Sequence, residues 1–247
     1  MSSNKRIISY CNAINEAIAS EMMRDKKVFV YGVEDKMFGS LDNLKNKFGS
    51  NRFFSTPISE EALTGFGFGA AISGLKPIYN HIRVDFMILG MNQLINMISS
   101  YCYGNNGKVG VPIVIRAVIG RGWGQGYQHS KSLQSIFAHI PGLKVIMPTT
   151  PYDAKGMMIN AIRDKNPVIS LEHRWLYWQE DHVPRKSYVV PFGKASTLKK
   201  GKDISIICSS WMNVEASLAA DFLKTFGIDL EIIDIRSVSP LDKSSIL

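Results

Sequence analysis

The chain has 247 residues, of which 45% are hydrophobic and 20% are charged, and its formal net charge is +8. This length suffices for one large domain or two modest ones, and the composition is that of an ordinary globular protein rather than a disordered one. No apolar run is long enough to cross a membrane, and the dispersed cysteines Cys11, Cys102 and Cys208 favour neither a disulfide framework nor a zinc site. We therefore expect a cytoplasmic protein or a processed organellar form.

The basic residues are scattered along the chain, and their densest clusters are only DKK and LKKGK. A nucleic-acid-binding protein is expected to concentrate such residues on one element, so this class is disfavoured. An anionic cofactor, an acidic partner subunit or simply a solvated surface explains the positive charge equally well.

Short β-rich segments alternate with helical segments along the first part of the chain. A helix in IISYCNAINEAIASEMM precedes the strand VFVYG; RFFSTP is followed by a helix from about Ser59, and KPIYNHI by one from about Asp85 to Tyr101. Next come VPIVIRAV, a glycine-rich loop, a short helix near Ser132 to Ala138, the strand LKVIMP, the helix PYDAKGMMINAIRD and the strand PVISLEH. This order predicts an α/β fold in which helices cover a parallel sheet on both faces, with ligands at the carboxyl ends of the strands.

The composition changes between about Asp181 and Lys202, where prolines and basic residues accumulate. We place a domain boundary there and predict domains over residues 1–185 and 186–247. The second domain contains the strand ISIICSS, the helix VEASLAADFLKTFG and the strand LEIIDIR. Two strands are too few to bury both faces of such a unit, so we expect it to be incomplete or completed by another chain.

The segment TPISEEALTGFGFGAAISG places glycines inside a predicted helix, where each costs about 1 kcal/mol relative to alanine. Ser59 is the expected N-cap, and acids in the first turn suit the helix dipole. Gly65 and Gly69 share one helix face and Gly67 lies on another, which predicts close packing on more than one side. A dinucleotide fingerprint is disfavoured, because its glycines follow a strand and open the helix.

The string EEALTGFGFGA, counted from Glu60, resembles the motif of pyrimidine-binding domains in thiamine diphosphate enzymes. The segments TPISE, AISGLKPI, NQLIN, QHS, HIPGLKVIMP, DAKGMM and AIRDKNPV also occur in the order found in β-subunits of 2-oxo acid dehydrogenases, such as the decarboxylating component of pyruvate dehydrogenase. The resemblance runs from about Asn15 to the last residue. It implies a transketolase-like pyrimidine-binding domain, a truncated transketolase C-terminal-like domain, and a glycine-containing helix at a tight subunit interface beside the cofactor.

The resemblance also implies roles for individual residues. Glu60 corresponds to the glutamate that hydrogen-bonds the aminopyrimidine ring nitrogen, whereas Glu61 is expected to be a surface or interface acid. Phe86 corresponds to an aromatic ring against the aminopyrimidine, although a plain core phenylalanine is the alternative. His129 corresponds to a histidine at the reacting centre, although it is also placed to cap the next helix.

Two further assignments depend on the resemblance alone. Glu34 resembles an acid in a polar tunnel between active sites, with an ordinary strand-end acid as the alternative. Asp164 and Asn166 resemble a loop that binds a monovalent cation such as K⁺, with a polar turn as the alternative.

The loop before His129 departs from the pyruvate-specific pattern at Arg121, Trp123 and Gln125. His139 and His173 are expected to be structural.

The family's Gly-Asp-Gly motif, which holds the diphosphate through Mg²⁺, does not occur in this sequence. We therefore expect a separate α-subunit to bind the diphosphate and Mg²⁺ in an α2β2 assembly. The short C-terminal part implies that a partner completes it or that the enzyme does not dock on a lipoyl acyltransferase.

The expected function is that of a β-type subunit which binds thiamine diphosphate and decarboxylates a 2-oxo acid. The alternatives are a transketolase-like aldehyde transferase of carbohydrate or secondary metabolism and a non-catalytic scaffold or regulatory partner.

Overall fold

The computed structural model describes residues 6–33, 42–122 and 124–247. The strands in these ranges are β1 (Ile7–Ser9), β2 (Val28–Gly32), β3 (Phe53–Ser55), β4 (Lys76–Arg83), β5 (Val114–Ile119), β6 (Lys144–Ile146), β7 (Val168–His173), β8 (Glu180–His182), β9 (Ser196–Lys199), β10 (Ile204–Cys208), β11 (Leu230–Asp234) and β12 (Ser237–Ser239). The α-helices are α1 (Tyr10–Arg24), α2 (Asp42–Phe48), α3 (Glu60–Ile72), α4 (Val84–Met87), α5 (Tyr101–Gly104), α6 (Gln134–Ala138), α7 (Pro151–Arg163) and α8 (Trp211–Lys224).

A central sheet of seven strands has the order β12-β6-β7-β5-β4-β2-β3. Its neighbours from β6 to β3 run parallel, and β12 pairs antiparallel with β6. On one face, α1 and α7 pack together through buried side chains such as Ile14 and Met157. On the other face, α3 and the segment that follows β4 contribute Phe68 and Leu94. Both faces are therefore covered, and the predicted α/β fold is confirmed.

The chain start differs from the expected continuous helix. Residues Ile7–Ser9 form β1, which pairs antiparallel with β8. Ser9 then caps α1, its side-chain oxygen accepting a hydrogen bond from the Asn12 backbone N–H at 3.3 Å. The apolar spacing alone does not reveal this, because pairing with a distant strand decides the conformation.

The single helix predicted from Asp85 to Tyr101 is also wrong, because α4 is followed by a 3₁₀ turn at Ile88–Gly90 and a π-helical segment at Gln93–Ile98. Gly90 lies so close to α3 that an added Cβ would approach Thr64 Oγ1 to 2.6 Å. Hydroxyls of Ser99 and Ser100 donate to the Ile95 carbonyl at 2.8 and 3.1 Å. Such side-chain bonds compete with regular helical bonding.

The predicted strand, helix and strand of the C-terminal part are present as β10, α8 and β11. However, β9 adds a third, antiparallel strand to this sheet, and β12 joins the central sheet instead. A small apolar cluster that includes Ala220 and Ile232 lies between α8 and the sheet. The boundary near residue 185 stays a prediction. Within the described ranges, no helix combines the length and apolar character that a membrane span requires.

The glycines of α3 have different surroundings. A Cβ at Gly67 would lie 2.1 Å from Tyr31 Oη and 2.7 Å from Ile113 Cδ1, whereas a Cβ at Gly69 would meet no atom within 4 Å. Close packing inside the chain therefore explains why residue 67 is a glycine. It does not explain the glycine at residue 69, which we predict to lie at the subunit interface.

Substitution by alanine separates these two roles. We expect Gly67→Ala to lower the free energy of unfolding by about 1–3 kcal/mol through overpacking. Gly69→Ala is expected to raise the free energy of unfolding of the isolated chain by about 0.5–1 kcal/mol, because alanine favours the helix. The same substitution is expected to weaken subunit assembly, because the added methyl group would lie in the predicted interface. Urea unfolding and sedimentation measure the two effects. Assembly of Gly69→Ala at the wild-type concentration would contradict the interface prediction.

Candidate active site

A cavity of about 430 Å³ opens at the carboxyl end of β4, beside the start of α3. This is the position that a parallel sheet predicts for a ligand. Its lining includes the three residues assigned by sequence to the centre of the site, Glu60, Phe86 and His129. The fold therefore brings together residues that are far apart in the chain.

Glu60 is the first residue of α3, directly after the cap position. Ser59 occupies that position as predicted but makes no side-chain capping bond. The Glu60 carbonyl accepts a hydrogen bond from Thr64 Oγ1 at 2.7 Å, while its carboxylate receives none from the described residues. Burial and, less strongly, the negative charge of Glu60 raise the pKa of the neighbouring Tyr79 hydroxyl.

Glu61 has different surroundings, because it is exposed and accepts a hydrogen bond from Gln93 Nε2 at 3.2 Å. Unlike Glu60, Glu61 does not line this cavity, and the roles of the two acids stay predictions.

A bulge near the end of β4 shapes the cavity wall. His81 is opposite Ala117 of β5, whereas Arg83 is opposite the very next residue, Val118, so Ile82 is the extra residue. In a regular strand successive side chains point to opposite faces, and a bulge re-aims those that follow it. Arg83, which follows the bulge, lines the cavity together with residues 79–82.

The rings of Phe86 and His129 contact each other edge to face, with centroids 5.0 Å apart and planes inclined by 74°. The backbone carbonyl of His129 accepts a hydrogen bond from Arg83 Nη2, which also donates to the Gly120 carbonyl at 2.7 Å. One guanidinium thus joins both ends of the glycine-rich loop. The cap position of α6 is Leu133, so the alternative in which His129 caps that helix is not observed.

Sequence reasoning missed His81 and Arg83, which both lie on β4 with little exposure, 3% and 1%. The Nε2 atom of His81 has no hydrogen-bond partner among the described residues. Burial lowers the pKa of this imidazole to about 3, so the ring is neutral at physiological pH. The available signal was the occurrence of a histidine and an arginine in a strand that is covered on both faces.

This buried ring gives a testable pH dependence. The unfolded imidazole, with an ordinary pKa near 6.5, binds a proton before the folded one does, so folding stability is lost as the pH falls from about 6.5 toward 3. Between pH 7 and pH 4.5 we expect the wild type to lose about 2–3 kcal/mol more than His81→Phe. Urea unfolding of both proteins at the two pH values measures this difference. An equal loss of stability in the two proteins would contradict the lowered pKa of His81.

Among the remaining predicted site residues, Asp164 and Asn166 do not line this cavity. Glu34 and Trp123 fall outside the described residues. Asp164 is the C-cap residue that follows α7, where Lys144 Nζ pairs with one of its carboxylate oxygens and the Asn166 N–H donates to the other at 2.9 Å. This is the bonding of a polar turn, and the K⁺ assignment stays a prediction.

The two histidines expected to be structural differ in their surroundings. His173 stacks on Trp211 at 5.7 Å, and its Nδ1 accepts a hydrogen bond from the Trp175 N–H at 3.3 Å. Burial together with nearby arginines lowers its pKa to about 4. His139 is exposed after α6. Neither residue lines the cavity.

Comparison with known proteins identifies two family domains in the chain. Residues 6–179 match the transketolase pyrimidine-binding domain, and residues 193–247 match the transketolase C-terminal domain. Among solved structures, a split-gene transketolase described as an inactive beta4 tetramer has a TM-score of 0.77 at 21% identity, covering 97% of this chain and 74% of that one. At this identity the likeness shows a common fold.

Curated relatives are more similar in sequence. The beta subunit of acetoin:2,6-dichlorophenolindophenol oxidoreductase from Cupriavidus necator is 42% identical over 98% of this chain and 75% of its own length. The 2-oxoisovalerate dehydrogenase subunit beta of Bacillus subtilis is 40% identical with the same coverage. The pyruvate dehydrogenase E1 component subunit beta of Porphyra purpurea is 38% identical over 95% of this chain and 72% of its own. The chain therefore belongs to the family of β subunits of thiamine-diphosphate-dependent 2-oxo acid dehydrogenases.

Proposed function

We propose that this chain is the β-type subunit of a 2-oxo acid decarboxylating enzyme and that Glu60 binds the aminopyrimidine ring of thiamine diphosphate. The observation that carries this proposal is the meeting of the Glu60 carboxylate, the Phe86 ring and the His129 imidazole at one cavity. Family membership supports the cofactor, while the cavity supports the roles of these individual residues.

The residues present fit the cofactor. The cavity volume of about 430 Å³ lies in the range of small-molecule sites. An aminopyrimidine offers a ring nitrogen for a carboxylate and a flat face for an aromatic side chain. The Glu60 carboxylate receives no hydrogen bond from the described residues, and Phe86 is half-buried at the cavity wall. Both are therefore available for contact with a ring.

Bound thiamine diphosphate supplies the electron sink that decarboxylation of a 2-oxo acid requires. The protein's contribution is geometry and proton handling. Glu60 shares a proton with the ring nitrogen of the aminopyrimidine, and Phe86 packs against the ring face. His129 holds or transfers a proton at a substrate oxygen, and its contact with Phe86 fixes the position of its ring.

The proposal includes a partner chain. Because this sequence lacks the Gly-Asp-Gly motif, we assign the diphosphate and Mg²⁺ to an α-type subunit in a cytoplasmic α2β2 assembly. Magnesium requires oxygen-rich coordination, which that subunit would supply. In the usual family reaction the acceptor is lipoyl-lysine, so a lipoyl acyltransferase is the further partner that we propose.

Coexpression with a diphosphate-binding subunit encoded beside this chain tests the proposal. We expect the assembly to reduce 2,6-dichlorophenolindophenol with one or more 2-oxo acids, in a reaction that needs both chains and thiamine diphosphate. Transfer to an added aldehyde without dye reduction would favour the transketolase-like alternative. Absence of turnover with every acid, despite bound cofactor, would contradict the proposal and favour the scaffold alternative.

A further inference from the structure

The guanidinium of Arg83 has hydrogen-bonding capacity that the described protein does not use. Its Nη2 atom donates to the carbonyls of Gly120 and His129, but Nη1 and Nε have no hydrogen-bond partner among the described residues. The side chain is only 1% exposed, so bulk water does not take their place. A buried donor without an acceptor costs about 1–3 kcal/mol, and more when it is charged. An acceptor supplied by a ligand would remove this cost.

The charge of Arg83 is only partly balanced. Asp85 Oδ2 lies 3.5 Å from its Nε, which is an ion pair without a hydrogen bond. The same carboxylate is shared with Lys131, whose Nζ lies 3.4 Å from Oδ1. Arg174 is also close enough that its positive charge, after the larger effect of burial, lowers the pKa of Arg83. Among the described residues, Asp85 is thus the one acid paired with Arg83, and it is shared with Lys131.

Arg83 lines the same cavity as Glu60 and His129, because the bulge at Ile82 turns the end of β4 toward it. Glu60 is the only acid among the described lining residues, and the proposed function assigns it to the cofactor. The Nε2 atom of His81 likewise has no hydrogen-bond partner among the residues that the structure describes. Strand β4 thus places one cation and one neutral imidazole, both almost fully buried, at the wall of this cavity.

We propose that Arg83 binds a second carboxylate, at the far end of the substrate, so that the enzyme selects dicarboxylic 2-oxo acids. This inference rests on the proposed function and names the substrate class of the same site. His81 provides a neutral hydrogen-bonding group beside that carboxylate.

Decarboxylation favours the distal carboxylate over the one that leaves as CO₂. A charged hydrogen bond to the departing carboxylate is strongest in the reactant and weakens as its charge moves away, so it would raise the barrier. A bond to a remote carboxylate is equally strong before and during the reaction. It gives affinity and orientation without opposing the chemistry.

The test compares 2-oxoglutarate with 2-oxopentanoate, which have the same five-carbon chain with and without a distal carboxylate. Each is titrated calorimetrically into the full chain assembled with its partner but without thiamine diphosphate, and each is then assayed with the cofactor. We expect the wild type to bind the diacid at least about tenfold more tightly and to prefer it by a similar factor in kcat/KM.

Arg83→Gln is expected to lose the preference, Arg83→Lys to keep part of it, and Lys165→Gln, which removes the same charge from an exposed position, to keep all of it. Equal weakening of both acids by Arg83→Gln would show that Arg83 only holds the loop, and would overturn the carboxylate site.

The proposal and the function on which it rests can fail separately. Turnover of both acids by the wild type without any preference overturns the carboxylate site and leaves the thiamine enzyme intact. Arg83-dependent selectivity in the titration, without turnover of any 2-oxo acid, supports the carboxylate site and contradicts the proposed function.

Discussion

Replacing Glu60 by glutamine is expected to lower kcat of the assembled enzyme by about 10²–10⁴-fold. Glutamine has nearly the shape of glutamate but cannot share a proton with the aminopyrimidine nitrogen in the same way. Because Glu60 is part of only one wall of the cavity, thiamine diphosphate should still bind. Steady-state kinetics and calorimetric titration of the cofactor measure the two effects separately.

The adjacent acid provides a matched control. Glu61→Gln removes the same charge one residue along the helix, where the side chain is exposed and bonded to Gln93. We expect its kcat to stay within about twofold of the wild type, since it lacks contact with the reacting groups. Wild-type activity in Glu60→Gln would contradict the assigned role and favour a scaffold function.

Glu172→Gln is expected to cause the largest loss of stability, about 3–5 kcal/mol. The carboxylate of Glu172, on β7, is fully buried and accepts hydrogen bonds from Nε and Nη2 of Arg116 on β5, both at 2.8 Å. The Tyr177 hydroxyl donates to it as well, at 2.9 Å. The substitution deprives the buried Arg116 guanidinium of its carboxylate partner. Because the site is buried, water does not replace the lost ionic interaction. Urea-induced unfolding at pH 7 measures the loss.

An exposed ion pair serves for comparison. Lys199 and Asp229 are separated by 3.2 Å, and their side chains are 33% and 46% exposed. Asp229→Asn is expected to cost no more than about 1 kcal/mol, because water solvates both partners. Similar losses in the two variants would show that burial of Glu172 does not determine its contribution.

The order of the central strands and of the helices between them could be predicted from the sequence, because each element is short and carries its own apolar pattern. The segment VFVYG coincides with β2, and VPIVIRAV overlaps β5. Strands that form only by pairing with a distant part of the chain could not be predicted in this way. Residues Ile7–Ser9 fit a helical spacing but pair with β8, and Ser237–Ser239 lack a strong β pattern but extend the central sheet.

The candidate site shows the same division. Glu60, Phe86 and His129 follow from motifs matched to a family, and the fold brings all of them to one cavity. The position of Arg83 follows a bulge, which is a matter of register between β4 and β5 and has no local signature here. Asp164 illustrates the opposite case, since its nearest cation is Lys144, a residue that the linear sequence does not place beside it.

Strand β12 makes the two predicted domains interdependent. It belongs to the C-terminal part of the chain, yet it covers the edge of β6, and Arg236 just before it pairs with Asp153 of α7 at 2.9 Å. A fragment ending at residue 185 would leave the backbone N–H and C=O groups of β6 without their neighbour. An uncovered β edge recruits strands from other molecules. Such a fragment would consequently be prone to aggregate, so the N-terminal domain should be produced together with residues 186–247.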